Sequence, residues 1–296
     1  MSTGFIEWEL GQTAYSIIGD LDLDSAKVPL VTLHGGPGFL GKGMTTVARY
    51  AESAGRPAIT YDQLGCGKSS AHKEKSPDFW QIEIFVQEFN ELINQLGIAE
   101  NFALIGHSWG GLLAAEIAIT QPKGLKALIL SSPLGDTDTW VADVKKLLAE
   151  MPPEISSVII ESEEAGTTDT EEYMAAAFKF YDKHVIRVPM PPDVAEMFDE
   201  ALADQNVYNA MWGPSELMCN GTLAGHVVTD RLQRIEVPTL IMSGKYDECT
   251  ATTAGAYHSG IKGSRWELFE ESSHLSYVEE AAKYQRVMNE FLDSKC

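Results

Sequence analysis

A serine stands between two glycines in the stretch Gly106-His107-Ser108-Trp109-Gly110, which follows the apolar run NFALI and precedes the small, apolar run GGLLAAEIAI. A strand, a sharp turn and a buried helix in this order lift a serine hydroxyl above the edge of a sheet, where it can act as a nucleophile. The sharp turn leaves room only for small neighbours, which fits the two glycines. The pattern therefore predicts that Ser108 attacks a carbonyl carbon. The alternative is an ordinary strand-to-helix turn.

A serine hydroxyl is a weak nucleophile, so it needs a base, and the base needs an acid that orients it. Asp247 ends the run VPTLIMSGKYD, and His274 comes just after the run RWELFE. We expect both residues in loops at strand ends, on the sheet edge that carries Ser108. The order Ser, Asp, His along the chain is the order that accompanies this turn. The other histidines precede Asp247 or lie in a predicted helix, so the predicted triad is Ser108, His274 and Asp247.

Attack on a carbonyl builds negative charge on its oxygen, which preorganised N–H groups stabilise. One donor is predicted to be the backbone N–H of Trp109, the residue after the nucleophile. The Gly-rich stretch LHGGPGF at 33–39 follows a predicted strand, and its Gly36 is the expected second donor. His34 is expected to organise this loop rather than to react. A plain turn is the alternative interpretation of the stretch.

The rest of the chain supplies the elements that must position these residues. Two short strand-like runs at the start predict an antiparallel hairpin, and after them apolar runs alternate with helical patterns. Continuous apolar strands that alternate with helices are typical of a mostly parallel sheet with helices on both faces. The expected fold class is therefore α/β.

Residues 134–232 interrupt this alternation. They are predicted to form four or more helices with Pro-rich joints and no strand of the core type, which indicates a cap over the strand ends. The predicted domains are therefore a core of 1–133 and 233–296 and a helical cap of 134–232. The cap has 19 Asp and Glu against 6 Lys and Arg, a net charge of −13 in a chain of −21. If it covers a site, its field favours a cationic ligand.

Overall composition excludes several classes of function. A net charge of −21 argues against nucleic acid and against anionic membrane surfaces as partners. No run approaches the roughly 18 apolar residues of a membrane helix, and the start of the chain does not resemble a signal peptide. The four cysteines are scattered without metal-ligand spacing. We expect a cytoplasmic protein with reduced thiols, no metal and no cofactor.

The stretches HGGPG, YDQLGCGKS, GHSWGG and GKYDE together resemble the proline iminopeptidase family of α/β-hydrolases, which includes prolyl aminopeptidases, the tricorn-interacting aminopeptidase and amino-acid amidases. The resemblance covers most of the core and the second half of the cap. It implies an α/β-hydrolase fold, a mostly parallel sheet flanked by helices, with a helical cap inserted after the sixth strand. It also implies a serine aminopeptidase that needs no cofactor.

The resemblance further explains why a second acidic residue follows Asp247. Members of this family bind the free α-amino group of the substrate with two glutamates, and the matching positions here are Glu248 and Glu216, the latter in WGPSEL. A protonated amine in a narrow cleft needs compensating charge. Two other interpretations stay open: Glu216 as a glutamate at a helix start, and Glu248 as a solvated loop acid.

The sequence leaves the roles of several neighbouring residues undecided. Cys249 is expected to be packed and inert, with sensitivity to thiol reagents as the alternative. The following cap aromatic residues are expected to pack inside the cap, with a side-chain pocket as the alternative: Phe178, Tyr181, Tyr208 and Trp212.

The first hypothesis is a serine hydrolase that releases an N-terminal amino acid, proline or another small or apolar residue, from short peptides or amino-acid amides through an acyl-enzyme. The second is a serine esterase or amidase of the same fold that acts on a small neutral or biosynthetic substrate. A non-catalytic receptor on this fold is the third. Epoxide and haloalkane hydrolases are disfavoured because they carry Asp where this chain has Ser108. The preferred residue and the oligomeric state are not predicted.

Overall fold

The computed structural model describes residues 1–22 and 27–296, except the side chain of Asp193. Its centre is one sheet of eight strands in the order β1-β2-β4-β3-β5-β6-β7-β8. The strand bounds are β1 Ser2–Trp8, β2 Gly11–Ile18, β3 Leu30–Leu33, β4 Ala58–Tyr61, β5 Phe102–His107, β6 Leu125–Ser131, β7 Thr239–Gly244 and β8 Arg265–Phe269. The pairs β1–β2 and β2–β4 are antiparallel, and all later pairs are parallel. The predicted hairpin and mostly parallel sheet are confirmed.

The helices of the core are α1 Thr45–Ser53, α2 Ile82–Gln95, α3 Trp109–Ile119, α9 Ala251–Gly260, α10 Ser276–Glu279 and α11 Ala281–Lys295. Successive strand residues point to opposite faces of a sheet. Accordingly Val31 packs in one apolar cluster, with α2, α3 and α9, while Leu30 packs in another, with α1 and α11. The sheet is therefore covered on both faces, which explains its continuous apolar strands.

Five helices lie between β6 and β7, after the sixth strand of the chain. They are α4 Thr137–Ala149, α5 Pro153–Ala165, α6 Glu171–His184, α7 Pro192–Ala203 and α8 Asn206–Met211, followed by a 3-10 turn at Thr229–Arg234. Residues 134–232 contain no strand of the sheet, and the backbone of this whole range is described. The inserted helices are confirmed as part of the fold, and we call α4 to α8 the cap helices. The exact domain limits at 134 and 232 stay a prediction.

Candidate active site

Ser108 lies in the turn between β5 and α3, with φ 58° and ψ −122°. A non-glycine residue with positive φ is strained, and such strain persists where the surrounding structure enforces it. The turn admits only glycine two positions before and two positions after Ser108. A Cβ on Gly106 would lie 1.9 Å from the carbonyl oxygen of Gly110, and a Cβ on Gly110 would lie 2.4 Å from that of Leu33. The two glycines of the motif are therefore steric requirements.

Asp247 and His274 come together at the carboxyl ends of β7 and β8. The Oδ1 of Asp247 lies 2.7 Å from Nδ1 of His274. The same carboxylate accepts hydrogen bonds from the backbone N–H groups of Cys249 and Gly244, at 2.7 and 3.2 Å. These donors fix the carboxylate, so the Nδ1–H of His274 donates to it and Nε2 takes no part in this contact. His274 and Ser108 line the same cavity.

The backbone around His274 is held from two sides. The hydroxyl of Ser132, at the end of β6, donates to the carbonyl of His274 at 3.1 Å. The N–H of His274 donates to the carbonyl of His184, the last residue of α6, at 3.2 Å. The ring of His184 in turn lies with Nδ1 2.8 Å from the carbonyl oxygen of Tyr246, next to Asp247. One cap helix thus ties together the two loops of the Asp–His pair, a role for His184 that the sequence did not indicate.

The Gly-rich loop after β3 lies against Ser108. A Cβ on Gly35 would lie only 3.2 Å from the Cβ of Ser108. Gly36 has φ 110° and lines the cavity. Within the described chain, the backbone N–H groups of Gly36 and Trp109 make no hydrogen bond to protein. The N–H of Trp109, the residue after Ser108, and the N–H of Gly36, in the loop after β3, are therefore available to a ligand oxygen.

His34 holds this loop from behind. Its Nδ1 lies 2.9 Å from the carbonyl of Gly35, and its Nε2 accepts a hydrogen bond from the N–H of Gln63 at 3.1 Å. Gln63 also accepts a hydrogen bond from the indole N–H of Trp109 at 2.8 Å. Burial lowers the pKa of His34 to about 4, so the ring is neutral and acts as a fixed donor and acceptor. These contacts match the structural role that the sequence predicts for His34.

The two glutamates lie in the same cavity as Ser108 and His274. Glu248 is buried, with its Oε1 3.6 Å from Nε2 of His274. Its other oxygen, Oε2, has no hydrogen-bond partner among the described residues. Glu216 accepts a hydrogen bond from the hydroxyl of Tyr208 at 2.6 Å.

This placement excludes the two alternative interpretations left open for the glutamates. Glu248 is only 5% exposed, so the interpretation as a solvated loop acid is wrong. Glu216 lies in a turn after Gly213 and begins no helix, so the helix-start interpretation is also wrong. A buried carboxylate oxygen without a donor points to a missing cationic or hydrogen-bonding ligand.

These carboxylates change the acid–base behaviour of the site. Burial alone lowers the pKa of His274, but the negative charges of Asp247, Glu248 and Glu216 outweigh burial and raise it to about 9. Burial, and then the charge of Glu216, raises the pKa of Glu248 well above its usual range. A positive charge close to these carboxylates would lower the pKa of both His274 and Glu248.

The cavity has a volume of about 520 Å³ and lies between the sheet edge and the cap helices. Of the four cap aromatics, Phe178, Tyr181 and Tyr208 line it, so the expectation that they only pack inside the cap is wrong. For Trp212 that expectation holds, because it is 2% exposed and donates its indole N–H to the carbonyl of Ser215.

The sequence did not point to α7 as part of the site. Four of its residues line the cavity: Met197, Phe198, Ala201 and Leu202. Apolar residues at helical spacing are equally typical of a cap core. The sequence pattern therefore could not show that these residues line a cavity. Cys249 is fully buried, with its thiol 3.2 Å from the carbonyl of Pro133, and does not line the cavity. This agrees with inert packing.

Within 1–22 and 27–296, no helix is both long and apolar enough to cross a bilayer. Over the same residues, His, Cys, Asp and Glu form no cluster of three or more with the arrangement of a metal site.

Comparisons with known proteins place this geometry in a family. The sequence model of the alpha/beta hydrolase fold matches residues 28–281. The proline iminopeptidase of Heyndrickxia coagulans is 36% identical over 292 residues, which cover 98% of each chain. That of Lactobacillus delbrueckii subsp. lactis is 37% identical and covers 96% of this chain and 95% of the relative.

Solved structures agree with the sequence relatives. The proline iminopeptidase of Mycobacterium smegmatis superposes with a TM-score of 0.92 at 34% identity, over 99% of this chain and 98% of that one. The crystal structure of VinJ superposes with a TM-score of 0.95 at 38% identity, over 100% of this chain and 99% of that one. Identity of this extent over nearly the whole length confirms the resemblance drawn from the four motifs. The chain belongs to the proline iminopeptidase family of α/β-hydrolases.

Proposed function

We propose that this protein is a serine aminopeptidase that releases an N-terminal amino acid from a peptide or amide, with Ser108 as nucleophile, His274 as general base and Asp247 as its orienting acid. One observation carries the proposal: Ser108, His274 of the Asp247–His274 pair, and two glutamates line one cavity. One of these glutamates, Glu248, has a carboxylate oxygen without a hydrogen-bond partner among the described residues. The triad performs acyl transfer, and the carboxylates select a cationic substrate.

The reaction proceeds in two halves. His274 takes the proton of the Ser108 hydroxyl through Nε2, and the serine oxygen attacks the carbonyl carbon of the first residue. His274 then gives that proton to the leaving nitrogen, which departs as an amine and leaves an ester on Ser108. Water, deprotonated by the same imidazole, hydrolyses the ester and releases the amino acid. During both halves the N–H groups of Trp109 and Gly36 bind the carbonyl oxygen as its negative charge develops.

The α-ammonium group of the substrate binds between Glu216 and Glu248. Its three N–H donors supply the partner that Oε2 of Glu248 lacks, and its charge offsets the like charges of the two carboxylates. Binding there fixes the distance from the amine to the scissile carbonyl, which restricts cleavage to the first bond. The same positive charge lowers the pKa of His274, which must be neutral to accept a proton.

Proline is the first side chain to test, because the relatives named above carry the name proline iminopeptidase. The four cysteines, all of them free, are compatible with the reducing cytoplasm that the sequence predicts. The division into a core and a cap of 134–232 stays part of the proposal.

The decisive experiment compares aminoacyl arylamides, prolyl and alanyl among them, each with a free amine and with an N-acetyl group. We expect hydrolysis of the free-amine substrates and loss of at least about 100-fold in kcat/KM on acetylation, since a charge-assisted buried contact is worth about 3 kcal/mol. Turnover that is indifferent to acetylation, or confined to simple esters, would establish the esterase hypothesis instead.

A pair of variants tests whether the carboxylate of Glu216 contacts the amine directly or acts only through the net charge of the protein. Glu216→Gln keeps the shape of the site and is expected to lose activity mainly on free-amine substrates. Glu161→Gln, on the exposed surface of α5, removes the same charge outside the cavity and should leave activity unchanged. Equal effects of the two variants would contradict a direct contact between Glu216 and the amine.

A further inference from the structure

The cavity is larger than the amino acid that the proposed function places in it. Its volume of about 520 Å³ falls within the range of roughly 300–1,000 Å³ that is typical of sites for drug-sized ligands. The amine end is fixed by Glu216 and Glu248, and the reacting carbonyl lies at Ser108. The remaining volume holds the side chain of the first residue and the leaving group, and its lining indicates their chemistry.

The lining contains more acidic side chains than lysines and arginines. Asp169, Glu216 and Glu248 line the cavity, whereas no Lys or Arg does among the residues that the structure describes. A short peptide ends in a carboxylate, and no Lys or Arg among the described lining residues can pair with it. Once the substrate ammonium has lowered the pKa of His274, this carboxylate meets mainly like charge in a site of low dielectric constant. The excess negative charge of the cap strengthens this repulsion.

One lysine lies close in sequence to the cavity wall but is engaged elsewhere. Lys42 stands between Gly43 and the first residue of the turn Gly41–Met44, and Gly43 lines the cavity. Its ammonium lies 2.7 Å from Glu200 and 3.6 Å from Glu196, both on α7. It holds α7 to the core rather than meeting a substrate carboxylate.

Apolar side chains line the exposed edge of the cavity, which we assign to the leaving group. Phe178 on α6 and Leu202 on α7 line the cavity, and each is 44% exposed. In the same lining, the rings of Phe198 on α7 and Phe39 in the loop after β3 pack edge to face with centroids 5.5 Å apart. Large apolar side chains that stay exposed beside a site indicate that an apolar ligand covers them.

We propose, on the basis of the proposed function, that the leaving group is a bulky, uncharged, apolar amine, so that the preferred substrate is an aminoacyl amide of such an amine rather than a short peptide with a free carboxylate. The bond broken is the amide C–N bond. The leaving nitrogen takes the Ser108 proton through His274, and water completes the hydrolysis to the amino acid and the free amine. The apolar part of the amine lies against Phe178 and Leu202.

The first test separates charge from size in the leaving group. With the aminoacyl residue that the arylamide panel selects, an aminoacyl-leucine dipeptide is compared with its C-terminal amide. We expect kcat/KM to be about tenfold or more higher for the amide, because each like-charge pair about 10 Å apart at an effective dielectric constant near 40 costs about fourfold. Equal rates for the two would overturn the proposal.

The second test measures apolar contact with a series of butyl, octyl and dodecyl amides of the same amino acid. Full burial of a methylene corresponds to about fourfold in binding, so we expect kcat/KM to rise by at least about twofold per methylene over the first part of the series. A flat series would show that the leaving group is not bound by the apolar wall, which also overturns the proposal.

Two matched variants locate the effect at the mouth of the cavity. Leu202→Lys places a cation at the rim and should raise the rate on the dipeptide and lower the rate on the octyl amide. Ile160→Lys makes the same change on α5, at a side chain of equal exposure (45%) that does not line the cavity, and should change neither rate. Thermal unfolding of both variants checks that each is folded.

The outcomes distinguish this inference from the function on which it rests. If free-amine arylamides are not hydrolysed at all, the proposed function fails. If they are hydrolysed but the dipeptide equals its amide, or Leu202→Lys behaves like Ile160→Lys, only the assignment of the leaving group fails.

Discussion

Replacing Glu248 by glutamine is expected to lower the pH at which His274 loses its proton. The pKa of His274 is raised to about 9 against the effect of burial, and Glu248 is one of the carboxylates that raise it. A histidine with a raised pKa is protonated below that pKa, so at neutral pH the base of the free enzyme is mostly unavailable. Removing the charge of Glu248 therefore increases the neutral fraction at any given pH.

The size of the change follows from the distance between the two groups. Opposite charges 3.6 Å apart attract by about 1.2 kcal/mol at a dielectric constant of 80 and by about 4.6 kcal/mol at 20. At about 1.4 kcal/mol per pKa unit, this corresponds to between about 0.8 and about 3.4 units. Because the pKa of Glu248 is itself raised, the carboxylate is not fully charged, and we expect a decrease of about one to two units.

The assay must measure the protonation state of His274 with a reagent that does not bind at the amine site. The rate at which a small, uncharged fluorophosphonate labels Ser108 depends on deprotonation of the hydroxyl by His274, and the reagent carries no ammonium group. Measured between pH 5.5 and 10, the rate should rise with a midpoint near 9 in the native protein and at about 8 or below in Glu248→Gln. Glu161→Gln, which changes an exposed carboxylate, should keep the native midpoint.

Substrate binding provides an independent check of the same electrostatics. The pH profile of kcat/KM reports the free enzyme, and that of kcat reports the complex. Because an ammonium group between the glutamates offsets their charge, the midpoint of kcat should lie below that of kcat/KM. The reasoning is refuted if the labelling midpoint is the same in the native protein and in Glu248→Gln, or if the native midpoint lies at or below pH 7.

Three further predictions concern positions outside the reacting groups. Gly106→Ala should destabilise the fold by about 3 kcal/mol or more, since its Cβ would overlap the carbonyl of Gly110. Glu88→Gln should raise the melting temperature at pH 8 but not at pH 4, because burial raises the pKa of Glu88 to about 8. His184→Phe, which loses the contact with the carbonyl of Tyr246, should lower kcat about tenfold, the equivalent of one buried hydrogen bond.

The predictions for Gly106, Glu88 and His184 are each checked by a separate measurement. For the glycine, urea unfolding is compared with Gly255→Ala, whose Cβ would meet nothing closer than 3.9 Å; similar stabilities would contradict the steric argument. For Glu88, the folded state keeps a proton that the unfolded state releases above about pH 4.3, so native stability falls as pH rises toward 8. A melting curve of Glu88→Gln that parallels the native one across pH would contradict this. For His184, an unchanged kcat would exclude a positioning role.

The chain itself encodes the parts of the site that depend on short-range geometry. Gly106 is required by the carbonyl of Gly110, four residues away, although Gly110 is required by the carbonyl of Leu33 on another strand. The strand–turn–helix pattern around Ser108 is local, so the motif could be identified without a structure. The strand ends that carry Asp247 and His274 follow from apolar runs, and parallel strands place their carboxyl ends at one edge. Family resemblance added Glu216 and Glu248, which local patterns alone left open.

Only the tertiary structure decided how these groups affect one another. The 3.6 Å between Glu248 and His274, and the burial that makes that distance effective, depend on two loops from different strands and on the cap helices above them. The α7 residues that line the cavity could also not be predicted, because an apolar helix face does not show whether it packs against a core or a ligand. The contact of His184 with the carbonyl of Tyr246 joins residues 62 positions apart and likewise depends on tertiary structure. The sequence alone thus indicated the candidate reacting groups. Long-range packing, which sets distances and dielectric environment, determined their charge state and the space left for substrate.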